Sequence, residues 1–250
     1  MNAIPFRRIP FPVLLTLLLA VAGCAGLKPL IPLDPARRAA VLEECRHTFL
    51  PGSYRLVHAI ETVMPNGSSG TAIGVLVADP GTQGFRTVMM TIEGFVLFDT
   101  EAGKTLTVHR AVPPFDKPAF AQGLAADIRL AFFPPAGEPA AWGAGEEGAR
   151  ICRFARPDGA LEEIATFPDG GVEIRLYEDG RTVQKKVKVT GLRQPGLAET
   201  IEIRGGWPPY TLRLQLLESE ALDDSTAVVE ETPLETETSA PGNRKEKRMP

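Results

Sequence analysis

The sequence predicts a mainly β domain of the α+β class, an antiparallel meander that carries two principal helices. Three observations lead there. Apolar and polar residues alternate in the second half, Val172, Ile174 and Leu176 against Glu173, Arg175 and Tyr177, which is the period of a sheet with one wet face. Such segments are punctuated by Pro157-Asp158-Gly159, Pro168-Asp169-Gly170 and Glu178-Asp179-Gly180, and aspartate–glycine pairs favour tight hairpin turns. Two stretches, residues 35–49 and 116–133, repeat their apolar residues at helical spacing instead.

Taken in order, the first helix opens on Asp34 as N-cap with Pro35 at its first position. It puts Val41, Cys45 and Phe49 on one stripe and stops before Pro51-Gly52. Residues 54–63 read as a strand, 64–67 as a turn, and 71–79 as the returning strand. Another strand or pair covers 85–99, with a bend at Gly94, and 105–112 follows the turn at 101–104. The second helix has Asp116 as candidate N-cap, then Phe120, Leu124, Ile128 and Phe132 every fourth residue, with Leu130 and Phe133 beside them. Pro134-Pro135 ends it. The Gly/Ala-rich stretch that follows reads as a loop carrying an isolated Trp142, which either packs within the loop or contacts a membrane interface or partner. Strands resume over 149–155, 161–167, 171–178, 182–190, 198–204 and 210–218.

Length, with 44% hydrophobic residues among 250, suits one domain. The 24 glycines and 23 prolines match a turn-rich fold and are too few for disorder throughout. The formal charge is −4, and no basic block occurs within the predicted elements, which argues against nucleic acid as partner. Residues 218–250 combine an acidic run, a Thr/Glu/Pro stretch and a basic end, and read as a disordered tail. Contact of that basic end with anionic headgroups is the weaker reading.

The amino end carries a different signal. Arg7 and Arg8 precede an apolar run over residues 13–21, broken only by Thr16. That run is about half the ~20 residues needed to span a bilayer, so it reads as an export leader. Val21-Ala22-Gly23-Cys24 resembles the lipobox of bacterial lipoproteins. The resemblance implies cleavage before Cys24, a diacylglycerol on its thiol and a further acyl chain, such as palmitate, on its new amino group. Ala25 after the cysteine implies sorting to the outer membrane of a Gram-negative cell. The alternative is an ordinary secretory signal cut near Ala22 or Ala25. On the lipoprotein reading the leader is 1–23, residues 24–33 are a tether and the domain is 34–217. Cys45 and Cys152 are then left as a candidate disulfide in an oxidising periplasm. The other reading is two buried thiols that never meet.

The order of a lipidated cysteine, a short helix, a long meander, an inserted amphipathic helix and further hairpins resembles the lipoprotein carriers LolA and LolB. The segment 112–135, VPPFDKPAFAQGLAADIRLAFFPP, is similar to their helical insert, and 206–218, GWPPYTLRLQLLE, to their closing strand. The resemblance is one of architecture, over about residues 34–217. It implies a curved antiparallel sheet forming an unclosed half-barrel, with both helices on its concave face and acyl chains held between. Phe95, Leu97, Phe120, Leu124, Ile128, Phe132 and Phe133 are the expected lining; each taken singly is better explained as ordinary core, and only the group as a whole favours a cavity. Expected partners are membrane lipid through Cys24, an acyl-chain or lipoprotein cargo, and a periplasmic carrier or envelope complex.

Catalytic signals are lacking. His47, His58 and His109 have no His or Cys at metal-ligand spacing, and Gly67-Ser68-Ser69-Gly70 lacks the nucleophile-elbow form. Neither an enzyme, a metal site nor a cofactor is expected. A structural lipoprotein docking to an envelope complex is the rival function, and an envelope enzyme with a composite polar site a third.

Overall fold

A computed structural model of the chain describes residues 27–63, 67–206 and 209–222. The expected leader, Cys24, residues 64–66 of the expected turn at 64–67, Trp207-Pro208 and residues 223–250 of the expected tail lie outside the described residues.

Asp34 accepts a hydrogen bond from the Ala36 amide at 2.9 Å and starts a 3-10 turn, Pro35–Arg37. Helix α1 (Arg38–Arg46) continues from it. Strands β1 (Tyr54–Val63), β2 (Ser69–Asp79), β3 (Gly84–Met90), β4 (Val96–Ala102) and β5 (Leu106–Ala111) follow as a meander. Helix α2 (Pro118–Phe132) then crosses to the far side. There β6 (Ala141–Ala144), β7 (Arg150–Ala155), β8 (Leu161–Thr166), β9 (Val172–Tyr177), β10 (Val183–Gln194), β11 (Leu197–Gly205) and β12 (Tyr210–Ala221) lead back to β1.

These strands form one antiparallel sheet in the order β5-β4-β3-β2-β1-β12-β11-β10-β9-β8-β7-β6. The sheet is curved and unclosed, with β5 and β6 as its edges. Strands consecutive in sequence are adjacent in the sheet, as short connections dictate, except where α2 carries the chain from β5 to β6. Turns at 91–95, 156–160 and 178–182 share one rim; those at 80–83, 103–105 and 167–171 share the other.

Register separates the two faces. Cys152, Ile164, Ile174, Val187, Ile203 and Leu212 stand side by side across six strands. All but the half-buried Leu212 are buried on the concave side. One residue along, the row reads Arg153, Glu163, Arg175, Lys186 and Arg204. A single step in sequence exchanges core for charge, which pins the pairing. Helix α1 packs on β7 and β8, and a disulfide joins its Cys45 to Cys152 on β7.

Four expectations about element boundaries are corrected. Helix α2 begins after Lys117, which makes no side-chain cap, rather than at Asp116, because Pro118 sets the first helical φ. Trp142 is not in a loop: it lies on β6, half-buried and packed against the core, where a four-residue strand is defined by its pairing to β7 rather than by any pattern. Strand β12 runs past Leu217 to Ala221, since Glu218 and Glu220 pair with Arg55 at 3.2 and 3.0 Å. The supposed tether is part of the domain. Ile31 bridges Ala144 on the outer edge of β6, Leu30 packs against the cluster of Ala149, Ile151 and Ala165, and Arg153 donates to the Lys28 carbonyl at 2.6 Å.

Candidate functional site

The concave face beneath α2 is the candidate site, because the helix has one strongly apolar side and nothing else among the described residues crosses the sheet there. At its carboxyl end Ile128, Phe132 and Phe133 are buried in the main core. Phe132 lies 5.7 Å from the ring of His58 on β1, and Phe133 6.3 Å from Phe85 on β3. The Leu50 amide donates to the Phe132 carbonyl at 3.1 Å, tying that end to the chain entering β1. The amino end is held less firmly. Phe120 and Leu124 are half-buried and join a smaller cluster of Met89, Phe98 and Ala121. Phe120 meets Phe98 edge-on at 5.0 Å and Phe115 at 5.1 Å.

One polar group interrupts this contact. Asp127, 3% exposed, lies on the buried side of α2. The Tyr210 hydroxyl of β12 donates to its carboxylate, with oxygens at 2.7 and 2.9 Å. Lys185 of β10 donates to Oδ1. Burial and the neighbouring carboxylate push the Tyr210 hydroxyl well above the ordinary tyrosine range, so it stays a donor. This triad latches the middle of α2 onto two strands. Burying Asp127 without those donors would cost several kcal/mol.

Two other titratable groups sit within the wall. Burial lowers His58 to about 4, so it is neutral at physiological pH. Burial raises Glu162 on β8 to about 7, against the pull of Arg156 at 3.3 Å, and its Oε1 has no partner. Among the described residues no group of three His, Cys, Asp or Glu is placed to hold a metal ion.

The expected lining is therefore divided. Ile128, Phe132, Phe133, Phe120 and Leu124 do face the sheet. Phe95 does not: it is 52% exposed beyond the Gly94 turn, with the Arg110 guanidinium 5.1 Å over its ring. Leu97 is half-buried and belongs to neither cluster. Phe98, wholly buried, takes the inward place, because a register shift between Met89 and Met90 sets the parity of β4. Sequence reasoning missed Phe98, Met89 and the Asp127–Lys185–Tyr210 triad. The helix half of the triad had a signal: Asp127 is the lone acid on an apolar stripe, three residues after Leu124.

Side chains of α2 pack against those of the sheet in both clusters. Two open concavities lie elsewhere. One, of 490 Å³, is mostly apolar and runs between α1 and β8–β10, past Ala40, His47, Val172 and Leu192. The other, of 520 Å³, is polar and lies among β10, β11 and β12.

Fold and site together define a LolA/LolB-like architecture: one curved unclosed antiparallel sheet with helices on its hollow side. The chain is similar to the crystal structure of a LolA superfamily protein from Nitrosomonas europaea, with a TM-score of 0.53 and 12% identity over 74% of this chain and 93% of that one. A putative outer membrane lipoprotein-sorting protein domain from Vibrio parahaemolyticus aligns at a TM-score of 0.41 and 11% identity, over 74% of this chain and 94% of that one. No protein-family model and no curated protein matches the chain.

Proposed function

We propose that the protein is an outer-membrane lipoprotein, anchored through acylated Cys24 and facing the periplasm, that binds an acyl chain or acylated cargo beneath α2. One observation carries this reading. The helix covers an apolar concave sheet, yet its large apolar side chains are fully buried only toward the carboxyl end, at Ile128, Leu130 and Phe132, while Phe120 and Leu124 are half-buried, and its amino end lacks a side-chain cap. An end without a cap leaves backbone amides without helical partners and is the easier end to lift. Phe120 and Leu124 then act as stand-ins for cargo, occupying the sheet until acyl chains displace them. Uptake needs only that cargo prefer the open state.

Native mass spectrometry tests this on the exported domain with Cys24 replaced. Acyl lipid retained by that protein and lost in Leu124→Asp, at unchanged melting temperature, supports a carrier. A mass that stays clean after incubation with phospholipid and lipoprotein overturns it. The second reading, docking to an envelope complex without cargo, draws on the packed contact between α2 and the sheet, and it would lead in that event.

A further inference from the structure

The segment 27–31 lies across the convex face as a strap, and it fixes where the chain leaves the domain. Ile31 is bonded in both directions to Ala144 at the β6 edge, at 2.8 and 2.9 Å. Moving toward the amino end, Leu30 covers the apolar group of Ala149, Ile151 and Ala165. The Lys28 carbonyl then meets Arg153, whose guanidinium also binds buried Glu163 at 2.7 Å. Glu163 in turn accepts from Arg175 at 2.9 Å and from the Tyr177 hydroxyl at 3.3 Å. Leu27 arrives beside Gly180, in the β9–β10 turn, close enough that a Cβ there would lie 3.8 Å from its side chain. The strap thus runs from the β6 edge to one rim.

Cys24 is three residues before Leu27, a reach of at most about 10 Å. That leash is short compared with the sheet. The same rim carries exposed apolar side chains on the opposite wing: Ile92 is 75% exposed in the β3–β4 turn, Phe95 follows it, and Val63 ends β1 half-exposed. Nothing in the sheet requires large apolar groups there, and turns are otherwise polar. Charges on the rim offset one another, Arg156 with Asp158 and Lys117 with Asp116, each at 3.6 Å, and Arg181 with Asp179 in the same turn, so apolar contact rather than headgroup charge is the available attraction.

We propose that the strap holds this rim, with the β7–β8, β9–β10 and β3–β4 turns, against the lipid surface in which the anchor is embedded. The inference rests on the acylation of Cys24 proposed above. It gives α2 a direction as well. The less firmly held amino end of α2 follows β5 at this same rim, so the concave face opens toward lipid.

The test uses the full lipidated chain purified from membranes and reconstituted in phosphatidylcholine vesicles that carry a nitroxide-labelled phosphatidylcholine. With Cys24 acylated and Cys45 bonded to Cys152, an added cysteine is the sole free thiol for a fluorophore. Labels go at Ile92→Cys and, on the opposite rim, at Lys104→Cys; β4 separates them by about 20 Å. The expected result is quenching several-fold stronger at 92 than at 104. A second protein carries a twenty-residue Gly/Ser insert after Gly26, with a mean span of about 25 Å, and should lose most of that contrast. Equal quenching at both rims overturns the orientation, and contrast that survives the insert overturns the role of the strap. Intact mass is read first: an unacylated chain overturns the anchoring reading itself, which separates that failure from the other two.

Discussion

Removing the hydroxyl of Tyr210 should loosen α2 without unfolding the sheet. In Tyr210→Phe the carboxylate of Asp127 keeps Lys185 but loses a donor at 2.7 Å. A hydrogen bond to a charged group contributes about 1.5–3 kcal/mol, and tenfold corresponds to about 1.4 kcal/mol. Local opening of α2 should therefore become about 10- to 150-fold more frequent. Hydrogen exchange read by mass spectrometry measures this directly when reclosing is fast. Peptides from the amino half of α2 should exchange faster by that factor, while those of β7 and β8, remote from Tyr210 and stapled to α1, should not change. Equal acceleration everywhere would mean that Tyr210 stabilises the domain as a whole. No acceleration in α2 would refute the latch.

Glu162 predicts a pH effect of definite sign. Its folded value near 7 lies above the ordinary 4.5, so its contribution is complete below pH 4.5 and is lost as pH rises to about 7, on the order of 3 kcal/mol in all. Glu162→Gln should flatten that part of the profile; urea midpoints falling equally in both proteins between pH 5 and 8 would contradict the assignment. Replacing Cys45 and Cys152 by serine removes a link between residues 107 apart, worth about 4–5 kcal/mol of chain entropy, so denaturant unfolding should shift by several kcal/mol and α1 should lose exchange protection first. Phe98→Ala should cost about 3–5 kcal/mol. Phe95→Ala, which gives up only an exposed cation–π contact, should cost about 1 or less; similar losses in the two would reverse the parity assigned to β4.

How far these features are legible in the sequence depends on whether they are written locally. Residues 172–176 of β9 and 200–204 of β11 alternate without interruption, so Ile174 and Ile203 are recognisable as inward residues from the alternation alone. The helical repeat of Phe120, Leu124, Ile128 and Phe132 is equally plain. Phe95 and Phe98 are not separable in that way, because 95–98 is a continuous apolar run and the face is chosen by the Gly94 turn, with φ of 88°, and by the shift opposite Met90. Strand β6 and the strap are too short to show a period and exist by pairing to partners over 100 residues away in the case of Ile31. The triad draws on β10, β12 and α2, three segments whose meeting is a consequence of the sheet order.

A packed concave face and a cargo function are compatible if the two occupants are close in free energy. Lifting the amino half of α2 exposes Phe120, Leu124, Phe98 and Met89. At about 1.5–3 kcal/mol per buried side chain, only about half realised for the half-buried two, this is on the order of 5–9 kcal/mol, with the triad adding about 2–3. An acyl chain of about fourteen methylenes offers about 11 kcal/mol at 0.8 per methylene. The exchange is then near balance, which suits a protein that must both accept and release. The same arithmetic makes affinity depend steeply on chain length, about fourfold per methylene. Competition between fatty acids of increasing length for one fluorescent acyl probe measures that slope. A flat series would mean that acyl chains do not replace α2 on the sheet, and the packed face would then be a core.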